Sequence, residues 1–142
     1  MSVEQNKVLC RRVHDEVFQH GRLEVADEII ATDCRFHGSG FPPGSGPEVL
    51  KQDATIYRTA FSIDRLTRDL EVAEGDTVAH RWSFTGTHKG ELSGIPATGR
   101  QVNITGMDIF RVRDGRIVDF YQEFDQMLMM QQLGVVPAAA SA

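Results

Sequence analysis

The sequence predicts an α+β fold, in which three N-terminal helices pack on a strongly curved antiparallel sheet. Apolar residues recur at helical spacing as far as about Phe61 and then alternate with polar residues, which is the periodicity of strands. In addition, Asp114-Gly115 separates two strand-like segments, and this dipeptide is a strong signal for a tight β-hairpin. Helices at one end of a bent sheet enclose a cone-shaped cavity, so we expect a pocket as part of the fold.

The first half of the chain contains the predicted helices. Residues 3–20 carry apolar side chains at helical spacing, and Gly21 suits the C-cap of that helix. His14 and His20 are interpreted as surface residues of the same helix. The other elements predicted here are a second helix over 22–32, a short strand over 34–37, a Gly/Pro-rich loop, and a third helix over 48–61.

The second half of the chain predicts strands joined by turns. Apolar and polar residues alternate from Leu66 to Val72 and again from Val78 to Phe84, with Glu74-Gly75-Asp76 as the turn between them. A long connection, HKGELSGIPATGR, leads to the hairpin around Asp114-Gly115. A short C-terminal helix over 126–133 follows the last strand.

The hairpin predicts which side chains share a face of the sheet. A two-residue loop pairs Arg113 with Arg116, and counting outward places Asp108 opposite Tyr121 and Asp125 opposite Ile104. Opposed residues share a face. One face would then carry Asp108, Tyr121, Glu123 and Asp125, and the other Met107, Ile109, Val118, Phe120 and Phe124. A row that mixes carboxylates with a tyrosine fits a half-open cavity.

Length and composition predict one domain, with a core over about 6–134 and a frayed tail over 135–142. The net charge of −5 argues against nucleic acid and anionic membranes as partners. No apolar run has transmembrane length, and the N-terminus lacks the apolar core of a signal peptide, so we expect a cytoplasmic protein. Cys10 and Cys34 are expected to be reduced thiols, although one disulfide is conceivable.

Four segments carry a family resemblance. They are NKVLCRRVHDEVF, RWSFTGTHKGELSGIPATGR, TGMDIFRVRDGRIVDFYQEFD and LMMQQLG. Together they resemble the SnoaL-like polyketide cyclase family, within the nuclear-transport-factor-2-like superfamily, over nearly the whole chain. The sequence departs from the family pattern where Tyr121 stands in place of a tryptophan and Phe120 in place of a frequent histidine.

The resemblance implies both a fold and a reaction. The implied fold has three helices on a curved sheet and commonly forms a homodimer or larger homo-oligomer through that sheet. The implied reaction is an intramolecular aldol-type ring closure of a polycyclic or otherwise extended apolar carbonyl compound, with no metal and no cofactor. A single aspartate acts as acid and base in that reaction, and the resemblance implies that Asp125 corresponds to it.

Two aspartates are candidates for catalysis. One carboxyl group can both remove and return a proton if its pKa is raised toward neutrality. Asp125 precedes the C-terminal helix, so it is either that catalytic group or an N-cap. Asp108 is the second candidate, about 13 Å away in the predicted register, or else a partner in a salt bridge. Tyr121 and Glu123 are expected to contact substrate on the same face.

Three histidines are further candidates. His37 is expected at the pocket mouth as a proton donor or shuttle, because it ends a strand before the Gly/Pro loop. His80 shares a face with Trp82 and is either catalytic or a hydrogen-bonded packing residue. His88 lies near the long connection and is placed among the substrate-binding residues. The histidines lack the spacing of a zinc site, so no metal is predicted.

Three large side chains complete the predicted substrate-binding set. Trp82, Phe41 and Met107 either form a wall for an aromatic ligand or belong to the core. No nucleophile motif, dinucleotide fingerprint or P-loop occurs in the sequence, so no cofactor is predicted.

Three functions remain open at this point. The first is an acid/base polyketide cyclase. The second is an epoxide hydrolase, hydroxylase or dehydratase-like enzyme, for which an Asp–Arg–Asp relay through Arg111 would have to reach the pocket. The third is a non-catalytic binding or assembly module, which a pocket filled by its own side chains and a capping Asp125 would favour.

Overall fold

The N-terminal helix is confirmed, and it contains a π-helical turn. The computed structural model describes residues 2–38 and 40–137. Helix α1, Val3–Arg12, begins with a capping box in which the Ser2 hydroxyl accepts from the Gln5 N–H and the Gln5 side chain accepts from the Ser2 N–H. It continues into a π-helical turn, Val13–Phe18. Gly21 then ends the helical run with φ at +68°, as predicted.

The next three elements are α2, Val25–Ile29, β1, Ile30–His37, and α3, Pro47–Ala60. The third predicted helix is therefore confirmed to within one residue at each end. The second predicted helix was too long, and the short strand was too short, because the chain becomes extended at Ile30. β-branched residues such as Ile30 and Thr32 favour that extended conformation.

Four strands follow and form hairpins. They are β2, Arg65–Glu74, β3, Thr77–Thr87, β4, Gln101–Arg113, and β5, Arg116–Phe124, and the short helix α4, Gln126–Leu133, ends the fold. The five-stranded sheet has the order β1-β5-β4-β3-β2, and its hairpin pairs are antiparallel. Strand β1 pairs in parallel with β5, so the prediction of an antiparallel sheet misses this one pair. The predicted α+β class is confirmed.

The hairpin turn is confirmed, but the predicted register beyond it is wrong by one residue. Asp114 and Gly115 have φ of +51° and +76°, and Arg113 pairs with Arg116 as expected. Val112 then pairs with Ile117, whereas Arg111 pairs with Asp119, so Val118 is an extra residue in β5. Asp108 consequently lies opposite Gln122, and Ile109 lies opposite Tyr121.

This bulge exchanges the faces of the residues beyond it. We call the face of the sheet that packs on the helices the inner face and the opposite one the outer face. The inner face carries Asp108 with Phe120, Gln122 and Phe124, while the outer face carries Met107, Ile109, Tyr121 and Glu123. The predicted grouping of Asp108 with Tyr121, Glu123 and Asp125 is therefore wrong.

The inner face and the helices enclose the core. One buried cluster joins α1, α2 and α3 to Phe110, Ile117 and Phe120 of the central hairpin. A second cluster joins Phe61 and Trp82 to Met129 and Leu133 of α4. Cys10 and Cys34 are both buried and free. No helix in the described part of the chain is long and apolar enough to span a membrane. From residue 138 onward, the predicted tail lies outside the described residues.

Candidate active site

A mostly apolar cavity opens between the inner face of the sheet and the helices. Its empty volume, including the open mouth, is about 590 Å³. Apolar pockets that carry a few polar groups are typical sites for small organic molecules, whose orientation the polar groups fix. The walls combine aromatic and aliphatic side chains with a small polar set, and the lining residues are His14, Phe18, Asp53, Tyr57, Phe61, Ile63, Leu66, Trp82, Phe84, Ile104, Gln122, Phe124 and Met129.

The π-helical turn brings His14 into this cavity. The Gln19 N–H donates to the His14 carbonyl, five residues earlier, and this wider turn is a feature that often marks functional sites. His14 is 5% exposed, so its interpretation as a surface residue is wrong. The sequence did contain the signal, because His14 lies four residues after buried Cys10 and three before buried Val17.

His14 and Asp108 form a buried pair. His14 Nε2 lies 2.7 Å from Asp108 Oδ2, and the Gln122 side-chain amide donates to Asp108 Oδ1 at 3.1 Å. With Asp108 ionised, Nε2 carries the ring proton and Nδ1 keeps its lone pair. Nδ1 is buried and has no hydrogen-bond partner among residues 2–38 and 40–137. A cavity-lining imidazole that is oriented in this way is suited to accept a proton.

Asp53 is the second acidic group of the site, and the sequence interpretation missed it. It lies on α3 and is 1% exposed, and its Oδ1 is buried without a partner in the described structure. Burial, together with the negative charge of Asp108, raises the pKa of Asp53 to about 8. Both causes favour the protonated, neutral form of Asp53. Its position four residues after Val49 and three after Leu50 places it within the buried stripe of α3.

Trp82 lines the cavity, which is where the sequence prediction placed it. Its indole Nε1 is buried and unpaired with respect to the described residues. Gly106 is its neighbour across β3 and β4, and a Cβ atom there would come within 2.2 Å of the indole ring. The missing side chain at Gly106 thus allows the ring to lie close to the sheet.

His80 lies behind the cavity wall and is not among its lining residues. Its ring centroid is 5.7 Å from that of His14, and its Nε2 lies 2.9 Å from Glu71. Burial lowers the pKa of His80, and the hydrogen bond to Glu71 opposes this only in part. Burial alone would raise the pKa of Glu71, but hydrogen bonds from Arg11 and His80 outweigh it and lower that pKa. His80 therefore packs against His14 outside the cavity lining, where its contact with Glu71 holds it in place.

Asp125 caps a helix and is not part of the cavity lining. Its carboxylate accepts the Leu128 N–H at 2.9 Å, and the residue is exposed. This is the N-cap alternative that the sequence left open. The catalytic role expected for Asp125 rested on the family resemblance and on the hairpin register, and the bulge in β5 changes that register.

His37 and Tyr121 lie on the outer face, away from the cavity. Their rings stack with centroids 4.2 Å apart, and His37 Nε2 lies 3.0 Å from Asp119. The structure thus places His37 beside an ion pair of the outer face rather than at the pocket mouth. Two other predicted substrate-binding residues, Met107 and Glu123, are exposed on this same face.

Arg111 also lies on the outer face, so the relay needed for an epoxide hydrolase is not assembled in the pocket. Its guanidinium is 3.6 Å from Asp76 and 3.9 Å from Asp119. Its side chain is half exposed.

Phe41 and His88 have contacts of a packing kind. Phe41 packs edge-on against Phe36 and Phe120, with ring centroids 5.1 Å away in each case. His88 is fully buried, and its Nδ1 accepts the Thr98 N–H at 3.1 Å. That hydrogen bond fixes the long connection between β3 and β4. Neither residue belongs to the cavity lining.

A curved sheet closed by helices around an apolar cavity defines a class of small-molecule-binding α+β proteins. The model of the family described as SnoaL-like polyketide cyclase matches residues 8–133. The chain therefore belongs to the SnoaL-like polyketide cyclase family, and the expected enzyme class, a cyclase, is confirmed.

Individual relatives support the same assignment. The chain is 33% identical over 122 residues to the aklanonic acid methyl ester cyclase DnrD of Streptomyces peucetius, covering 84% of each chain. It is 28% identical to the nogalonic acid methyl ester cyclase of Streptomyces nogalater, covering 82% of this chain and 89% of the relative. The crystal structure of wild-type IdmH from Streptomyces antibioticus superposes with a TM-score of 0.75 at 33% identity, covering 92% of this chain and 99% of that one.

Proposed function

We propose that this cyclase closes a ring in a polyketide-derived ester by an intramolecular aldol-type addition, without metal or cofactor, and that His14 held by Asp108 is its base. The observation that carries the proposal is the buried His14–Asp108 pair at the wall of an apolar cavity, with side chains only 6% and 0% exposed. The names of two relatives, which are methyl ester cyclases, support the substrate class.

The proposed chemistry requires only proton transfers and one new carbon–carbon bond. His14 Nδ1 takes a proton from a carbon that is activated by a neighbouring carbonyl group. The resulting carbanion adds to a second carbonyl carbon of the same molecule, and the oxygen there becomes an alkoxide that must be protonated. Asp108 stabilises the imidazolium that forms, because its carboxylate already accepts the proton on Nε2.

The cavity fits an extended apolar substrate. Aromatic side chains from α3, β3 and β5 contribute to its walls, and they include Tyr57, Trp82 and Phe124. Of the two features expected of a non-catalytic module, the capping Asp125 is present, while the cavity keeps an opening between its side chains.

Turnover of aklanonic acid methyl ester by variants of His14 and Asp108 tests the proposal. We expect His14→Gln and Asp108→Asn each to lose about 10²- to 10⁴-fold in turnover, the usual contribution of general acid–base catalysis. His37→Gln is a matched control, because His37 also pairs with an aspartate of the sheet but on the outer face. Full activity in His14→Gln, or an equal loss in His37→Gln, would rule out the proposed base.

We also propose a homo-oligomer formed through the outer face. A continuous row crosses all the strands from Val72 through Ala79, Ile109 and Tyr121 to His37. Its neighbours Leu70 and Met107 are 65% and 61% exposed, and Val72 is 65% exposed. An apolar patch that spans a sheet is typical of a surface that associates with another copy.

Sedimentation of two charge variants tests this association. Val72→Lys places a charge at the β2 end of the row and is expected to produce monomers. Val8→Lys is the control, because Val8 is a comparably exposed valine, 56%, on α1. A wild type that sediments as a monomer, or association that survives in Val72→Lys, would contradict the assignment of this face.

A further inference from the structure

We propose that Asp53 is a second catalytic residue of the site, the general acid that protonates the carbonyl oxygen as the ring closes. This inference rests on the proposed function, which assigns a base to the cavity but leaves the donor of the second proton unassigned. A separate donor on another wall of the cavity would let His14 act as the base alone, with the second proton already in place.

The position of Asp53 supports this role. It lines the cavity from α3, whereas His14 reaches the cavity from the π-helical turn. The Oδ1 atom of Asp53 is buried, and no hydrogen bond from the described residues reaches it. A buried carboxyl group without a partner is costly in a folded protein unless it is neutral or meets a ligand. Asp53 meets both conditions if it is protonated and then donates that proton to a bound substrate.

The surroundings of Asp53 keep it protonated. The titratable groups that act on it are Asp108 from β4 and Tyr57, one turn further along α3, and His14 from the π-helical turn lines the same cavity. Burial and the negative charge of Asp108 raise its pKa to about 8, so the group holds a proton at neutral pH and can release it to a developing alkoxide. The indole N–H of Trp82 also lines the cavity, is buried without a partner in the described chain, and can donate a hydrogen bond to a bound substrate.

The proposed step is balanced in atoms and electrons. The carbon–hydrogen bond breaks as His14 takes the proton, and the electron pair forms the new carbon–carbon bond. The carbonyl π bond breaks toward oxygen, which takes the proton of Asp53. The enzyme is then left with an imidazolium at His14 and a carboxylate at Asp53. Proton transfer from the imidazolium to the carboxylate, directly or through water, restores the starting state with no net change in protons.

The first measurement is a carboxyl-carbon NMR titration of the wild-type protein, which requires neither substrate nor turnover. The inference predicts that Asp53 is protonated at pH 7 and titrates near pH 8. An Asp53 that is already ionised at pH 7 would overturn it, whatever the protein catalyses. Because the titration uses the wild type, it stands even if a variant fails to fold.

The second measurement separates catalysis from a structural role. Asp53→Asn keeps the shape of the side chain but has no acidic proton, so turnover of aklanonic acid methyl ester should fall at least 10²-fold. The affinity for that compound, measured by quenching of Trp82 fluorescence, should change only a few-fold. The decline in kcat/KM of the wild type as the pH rises through about 8 should also be missing in the variant. Glu48→Gln, an exposed carboxyl-to-amide change on the same helix, should retain wild-type turnover.

The outcomes distinguish this inference from the proposed function. If His14→Gln is inactive while Asp53→Asn retains turnover and the alkaline decline, the inference is overturned and the proposed function stands. If His14→Gln is as active as the wild type, or if the wild type turns over no ester, the proposed function fails and the inference fails with it.

Discussion

Asp53 makes the stability of this protein depend on pH in a way that can be measured without substrate. Its pKa rises from 3.8 to about 8 on folding, so between these values the folded state holds a proton that the unfolded state has released. The contribution of Asp53 to stability is therefore fully present below about pH 4. It declines as the pH rises toward 8 and is lost above that value.

The size of this pH dependence follows from the shift in the pKa of Asp53. One pKa unit corresponds to about 1.4 kcal/mol, so a shift of roughly four units amounts to on the order of 5 kcal/mol over the whole window. Between pH 5 and pH 7, both inside the window, the free energy of unfolding should change by about 3 kcal/mol because of Asp53 alone. An asparagine at this position cannot ionise, so the Asp53→Asn variant lacks this pH dependence. Between pH 5 and pH 7 its free energy of unfolding should therefore rise by about 3 kcal/mol relative to that of the wild type.

Urea unfolding at pH 5, 6, 7 and 8 measures the difference. Trp82 is the single tryptophan and lines the same cavity, so its fluorescence reports the transition. Titrating groups distant from Asp53 change both proteins alike, so the difference between wild type and variant reports Asp53 together with the groups coupled to it, such as Asp108. Asp27→Asn, an exposed aspartate on α2, is the control and should show a constant difference. A constant difference for Asp53→Asn as well would refute the reasoning, because it would mean that Asp53 is ionised in the folded protein.

Two further predictions follow from the packing. Gly106→Ala should cost about 1–3 kcal/mol of stability and shift the Trp82 emission, because the added methyl group meets the indole ring at 2.2 Å. An unchanged melting temperature and spectrum would contradict the described position of the ring. Asp125→Ala should lose about 1 kcal/mol through the helix cap while keeping cyclase turnover, and a loss of turnover without a loss of stability would restore the catalytic role expected from the sequence.

The fold was predictable because it depends on long periodic segments. Helical spacing identified α1 and α3, alternation identified the strands, and Asp114-Gly115 identified the central turn. The parallel pairing of β1 with β5 was not predictable in the same way, since strand neighbours that are distant in sequence leave no local signal.

The site was less predictable, for two physical reasons. A single extra residue, Val118, reverses the face of every residue beyond it in β5, and consecutive apolar residues do not reveal which one is bulged. In addition, Met107 and Ile109 are exposed on the outer face. As apolar residues, they cannot be distinguished in the sequence from residues of the core.

The remaining polar residues of the site were within reach of sequence reasoning. His14 and Asp53 both interrupt a buried apolar stripe of a helix, and a polar residue in that position is either satisfied by the core or functional. The sequence also selected Asp108 as a candidate, and its partners in the structure are His14 and Gln122 rather than Tyr121.

The most direct test of the proposed base is a double-mutant cycle on its two members. Turnover of aklanonic acid methyl ester is measured for the wild type, His14→Gln, Asp108→Asn and the double variant. If the two residues act as a unit across their 2.7 Å contact, the double variant should be no slower than the worse single variant. Losses that multiply would show that the residues act independently, and turnover retained in His14→Gln would show that another group removes the proton.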